Sequence, residues 1–141
     1  MTKNEDLWPS ELGLETVVTP VSILRTQAKL LGERTQGMIE GDVRTWTQGS
    51  DVYHDLNVVV PALDNYRYRL LRVHHPVMLY PVFVDEEPKP FGHIRMIGPI
   101  KMLGEEKGLK DEDALREWLR QALARQETKQ ILAHLYAQGA Q

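Results

Sequence analysis

The chain reads as an α+β domain, an antiparallel meander of 4–5 strands with an N-terminal helix and two C-terminal helices packed on the sheet. Three observations predict it. After Thr19-Pro20, apolar residues recur at helical spacing (Ile23, Leu24, Ala28, Leu31). Between Val43 and Val84, β-branched and aromatic residues alternate with polar ones and are broken by short turns. Beyond Asp111 two more helical stripes follow.

In chain order, residues 1–18 form an arm that Trp8, Leu12, Leu14 and Val17 are placed to pin to the body, and 19–141 form one domain. Thr19 is an N-cap candidate and Pro20 suits the first helical position, which predicts a helix over 20–38 weakened late by Gly32 and Gly37. Val43, Thr45, Trp46 and Thr47 predict a first strand that ends at Gly49-Ser50. Further strands are expected over 51–60, 66–75 and 77–84, with turns at 61–65 and at His75-Pro76. Gaps this short favour consecutive hairpins. Pro81 donates no ladder bond and suits an edge or a bulge. Residues 91–103 read as a short fifth strand or a covering loop. Asp111 caps a helix whose stripe is Leu115, Trp118, Leu119, Ala122 and Leu123, and a last helix starts near Thr128 with Ile131, Leu132, Leu135 and Tyr136 apolar.

The 141 residues suffice for one core but not comfortably for two. With 42% hydrophobic and 26% charged residues the balance is that of a folded globular chain. The net charge of −3 gives no general demand for an anionic partner. There is no cysteine, which excludes disulfides, thiolate metal sites and cysteine nucleophiles. The N-terminal MTKNEDLWPSELGLE is polar and acidic, and no apolar run approaches a membrane span, so the chain reads as cytoplasmic and without a membrane partner.

A symmetric turn at 61–65 would pair Val60 with Tyr66, Val58 with Tyr68, Leu56 with Leu70 and His54 with Arg72. One face would then carry an apolar upper part and a polar lower end of His54, Arg72 and His74. The other would carry Tyr53, Asp55, Asn57, Arg67, Arg69, Leu71 and Val73, joined by Met78, Tyr80, Val82 and Val84 of strand four. Both faces would need cover, either by helices on each side or by a partner on strand four.

Four patterns bear on chemistry. Arg69 to His74 (RLLRVH) resembles the R-x4-H signature of HEPN ribonucleases, whose arginine and histidine sit on a helix at a dimer interface; here the pattern is that of a strand, and strict alternation puts Arg69 and His74 on opposite faces. Glu87-Pro88-Lys89, with Asp64 or Asp85 as second carboxylate, resembles the metal-dependent PD-(D/E)xK nucleases, but Pro88 and Pro90 give it the chemistry of a turn. Tyr66-Arg67-Tyr68-Arg69 has the composition of a stacking platform for single strands, with its rings and cations on opposite faces. The α-β-β-β-α order is similar to that of double-stranded RNA-binding domains, but the expected lysine cluster is replaced by Asp111-Glu112-Asp113. The 104–108 stretch lacks the phosphate-loop pattern.

No set of residues forms a coherent catalytic or metal-binding motif, and no cofactor is expected. The sequence therefore predicts a small bacterial-type accessory domain that binds a protein partner or itself through a sheet edge or face, without catalysis. Its candidate binding residues are Arg67, Arg69, Arg72, His74, His75 and Tyr80. Two alternatives stand beside it: a nucleic-acid-binding or -processing protein using the Arg/His-bearing strand, and a metal-dependent hydrolase built on His54, His74 and His93.

Overall fold

The computed structural model describes residues 5–14, 17–85 and 108–141. Helix α1 (Pro20–Arg34) leads into a four-stranded antiparallel sheet of β1 (Glu40–Gln48), β2 (Asp51–Val60), β3 (Tyr66–His75) and β4 (Phe83–Val84), and α2 (Glu112–Leu123) and α3 (Gln126–Gly139) close the chain. Strand order is sequence order, a plain meander.

Local chemistry accounts for the element ends. The Thr19 hydroxyl accepts from the Ser22 amide at 3.1 Å, and Pro20 occupies the first turn. The helix stops four residues short of the expected 38 because Gln36 and Gly37 both take left-handed backbone, at φ 55° and 83°. Thr35 then staples the helix to the sheet, its hydroxyl accepting from the Ile39 amide at 3.0 Å. As a result β1 starts at Glu40, earlier than the β-branched run announced. Asp64 and Asn65 both take left-handed φ in the β2–β3 turn, which short polar side chains tolerate. The Asp111 carboxylate caps α2 by accepting from the Ala114 amide at 2.9 Å. Only Ala124 and Arg125 separate α2 from α3, which begins at Gln126 rather than Thr128.

Strand four is far shorter than expected. Residues 77–81 form no ladder, Val77 and Met78 are 85% and 70% exposed, and Tyr80-Pro81 is a cis peptide. Pro76 and Pro81 bracket the stretch and supply no amide hydrogens. Val82 pairs with Leu109, and only Phe83 and Val84 join β3. The fifth-strand expectation for 91–103 lies outside the described residues.

All three described helices pack on one side of the sheet, which overturns the arrangement with helices on each face. Ile23, Leu24 and Ala28 of α1 and Leu115, Leu119 and Ala122 of α2 share a core with Leu56, Leu71, Val73 and Val82. Leu135 of α3 meets Val58, Val60 and Ile39 further along the same face. The arm is not pinned: Trp8, Leu12, Leu14 and Val17 are all exposed. Among the described residues no helix is long and apolar enough to cross a membrane.

The register expected for β2 and β3 holds from Val60↔Tyr66 to Val58↔Tyr68 and then slips. Asn57 pairs with Arg69, but Leu56 pairs with Leu71 and His54 with Val73, so Leu70 is an extra residue on β3. Beyond this bulge every β3 side chain changes face relative to strict alternation. Leu71, Val73 and His75 turn to the helices, and Arg72 and His74 to the opposite side.

The α1–β1 contact is closest at Gly41, where a Cβ would lie 2.4 Å from the Ala28 Cα. Gly41→Ala should therefore lower unfolding stability by about 3 kcal/mol through overpacking against backbone. A matched pair of urea denaturation curves measures it.

Candidate binding surface

The side of the sheet away from the helices is built from alternate residues of each strand. The registers Trp46↔Tyr53, Tyr53↔His74 and His74↔Phe83 place one ring from each strand on a single transverse line. The rings stack in sequence, with centroids 5.4 Å apart for Trp46–Tyr53, 4.7 Å for Tyr53–His74 and 5.6 Å for His74–Phe83. The Arg72 guanidinium lies 4.8 Å from the centre of the Trp46 ring. His74 Nδ1 is held 2.7 Å from Asp51 Oδ2, which fixes the ring in the stack.

Most of the arginines and aspartates of this face are paired with one another. Asp55, nearly buried, accepts from Arg72 Nε at 2.7 Å and from its terminal nitrogen at 3.2 Å, and Arg69 approaches the same carboxylate at 3.8 Å. That bidentate bond is the largest cause raising the already high pKa of Arg72. Arg67 pairs with Asp42, whose Oδ2 also accepts from Asn57 at 3.5 Å.

Of the expected binding residues, Arg67, Arg69, Arg72 and His74 lie together here. His75 and Tyr80 do not. His75 points into the helix-covered side and is 4% exposed; Tyr80 packs against the core beside Val82 and offers its hydroxyl to the Val18 carbonyl at 3.4 Å. The bulge also corrects the parity argument about Arg69 and His74, which share this face, although on a strand and not on the helix that a HEPN site requires. Sequence reading missed Trp46 and Phe83 as members of the face. No sequence signal marked those two; on β3 the uneven spacing of Arg67, Arg69 and Arg72 hints at a phase slip without saying which leucine absorbs it.

On the helix side, His54 and His75 meet through their Nε2 atoms at 2.9 Å. His75 Nδ1 donates to the Pro76 carbonyl at 2.7 Å, so in the neutral pair its Nε2 must accept from His54. His54 Nδ1 then accepts from the Thr45 hydroxyl at 2.9 Å. The chain of three bonds is complete with both rings uncharged. The expected grouping of His54 with His74 and Arg72 is overturned, because the bulge sends those two to the other face. His93 lies outside the described residues, and among those described no group of three or more His, Asp or Glu is placed to hold a metal.

A second concave feature opens between α1 and α2. This cavity of about 430 Å³ has Ile23, Leu119 and Leu123 as its floor and Arg116, Arg120 and Lys129 on its rim. Arg116 and Arg120 are already bonded to Glu112 and Glu117 on their own helix.

No protein-family model, curated protein or solved structure matches the chain.

Burial, then the neighbouring His75, lower the pKa of His54 from 6.5 to about 4. The unfolded chain binds a proton near pH 6.5 that the folded chain refuses until about pH 4. Stability from this group is thus complete above pH 6.5 and is lost as pH falls toward 4, in all about 3 kcal/mol. Urea midpoints measured across this range should fall with acid for the native chain and fall less steeply for His54→Gln.

Proposed function

We propose that this chain is a non-catalytic accessory domain that binds a protein partner on its open sheet face. The observation that carries the reading is the four-ring stack of Trp46, Tyr53, His74 and Phe83 on a side that no described helix covers. Tryptophan, tyrosine and arginine dominate the energetic centres of protein interfaces because they bring large, stiff contact area with a polar handle. Here they are held in place before any partner arrives, the rings by one another and Arg72 by Asp55 and Trp46. Preorganised side chains lose less entropy on binding.

Charge supports this reading over single-stranded nucleic acid. The same face gathers Arg67, Arg69, Arg72 and His74 beside aromatic rings, which is the make-up of a base-stacking groove. But Asp42, Asp55 and Asp51 stand against them within ion-pair distance. A phosphate chain would meet three aspartates and would have to displace them from the arginines. A protein surface with mixed charges meets no such repulsion.

The test compares the native chain with Trp46→Ala and Tyr53→Ala, first against a partner captured from cells that express the protein, then against labelled oligouridylate. Each substitution should weaken the partner complex roughly thirtyfold, the effect of losing an anchor worth about 2 kcal/mol, with oligouridylate unbound. Oligonucleotide binding that declines steeply with salt would favour the nucleic-acid reading. A partner complex indifferent to both substitutions would remove the open face from consideration.

A further inference from the structure

We propose that two copies of this chain pair along β1, antiparallel about a two-fold axis at Val43, to make one continuous eight-stranded sheet with four strands from each copy. This edge borders the open face and shares β1 side chains with it, but the proposal does not rest on the reading given above.

The first argument is the state of the edge. The two outer strands of the sheet are β1 and β4. With two residues, β4 offers almost nothing to pair with. β1 has nine residues and pairs with β2 in unbroken register from Glu40↔Val59 to Gln48↔Asp51. Among the described elements nothing pairs with its outer side. Long free edges are normally blunted by proline, charged side chains, a bulge or brevity, because they template association; the charges of β1, Glu40, Asp42 and Arg44, are of both signs and can be matched across a two-fold. The β1 sequence EGDVRTWTQ has no proline and no lysine, and its ladder has no bulge.

The second argument is charge complementarity. In an antiparallel pair of identical strands, directly opposed side chains lie on the same face. Centring on Val43 sets Asp42 opposite Arg44 of the second copy, twice by symmetry, with Gly41 opposite Thr45 and Glu40 opposite Trp46. Centring one residue earlier opposes Asp42 to itself, and one residue later opposes Arg44 to itself. The side chains are ready for the favourable register. Arg67 and Asn57, on the inner strands, both engage Asp42 Oδ2, and in the proposed register Oδ1 would accept from the second copy's Arg44. Arg44 is exposed and stands opposite Asp55 of β2, but that carboxylate is engaged by Arg72 and Arg69, and among the described residues Arg44 makes no ion pair. The two-fold would place both ring stacks on one side of a single sheet.

Light scattering on the purified native chain at micromolar concentration should give a dimer. Arg44→Glu sets two pairs of like charges face to face and should weaken dimerisation at least about tenfold. Asp42→Arg should do the same. An equimolar mixture of the two variants should restore a dimer, since both opposed pairs become attractive, and only a two-fold contact between these positions gives that rescue. Far-UV circular dichroism reports whether each variant folds. Should Asp42→Arg fail to fold, a nitroxide on Gln48→Cys decides, since the chain has no other cysteine. The register puts the two labels roughly 33 Å apart, ten residues along the strand direction. A monomeric native chain, a dimer untouched by Arg44→Glu, or a label distance far from this value would overturn the proposal. Tyr53 is on β2, away from this edge, so Tyr53→Ala tests the open face independently of these outcomes.

Discussion

The structure depends on one inserted residue. At the Leu70 bulge, two adjacent leucines both reach the helix-covered core, where Leu70 touches both apolar clusters and Leu71 is buried beside Leu56. Without it, strict alternation would drive Arg72 into the space now filled by Val73 and would turn Val73 to the open side. The magnitudes decide the matter. A disrupted ladder bond costs about 1 kcal/mol net, whereas a charged guanidinium in a dry core costs several. The bulge also brings His74 into line with Tyr53, so the ring stack follows from the same insertion.

Two neighbouring histidines show how sharply the sheet divides its surroundings. His74 faces the open side, where it stacks between Tyr53 and Phe83 and meets Asp51. His75 faces the helices, where its donors and acceptors are used up by Pro76 and His54. One ring sits next to a carboxylate. The other belongs to a chain of hydrogen bonds through His54 to the Thr45 hydroxyl.

With every described helix on one side, the described residues make two layers and leave the other face of the sheet without cover from any of those helices. That face is not a generic polar surface. Its aromatic residues lie on one transverse line and its arginines and aspartates are matched across strands, with Arg44 at the rim as the exception among the described residues. A face with an aromatic line near one end and paired charges beside it suits contact with another folded surface better than contact with a polyanion.

The amino-acid sequence by itself determined the fold class and most element boundaries, because these rest on interactions within a few residues. Thr19 and Asp111 cap helices, Gly49 and the Asp64-Asn65 pair turn the chain, and Val60↔Tyr66 follows from the length of the turn between them. Tertiary structure alone decided which side of the sheet the helices cover, how little of 77–84 finds a partner, and how the face is composed below the bulge. Alternation along a strand carries no memory of an inserted residue. Whether Leu70 or Leu71 absorbs the slip is settled only when α1 and α2 present a core that accepts both leucines and excludes Arg72.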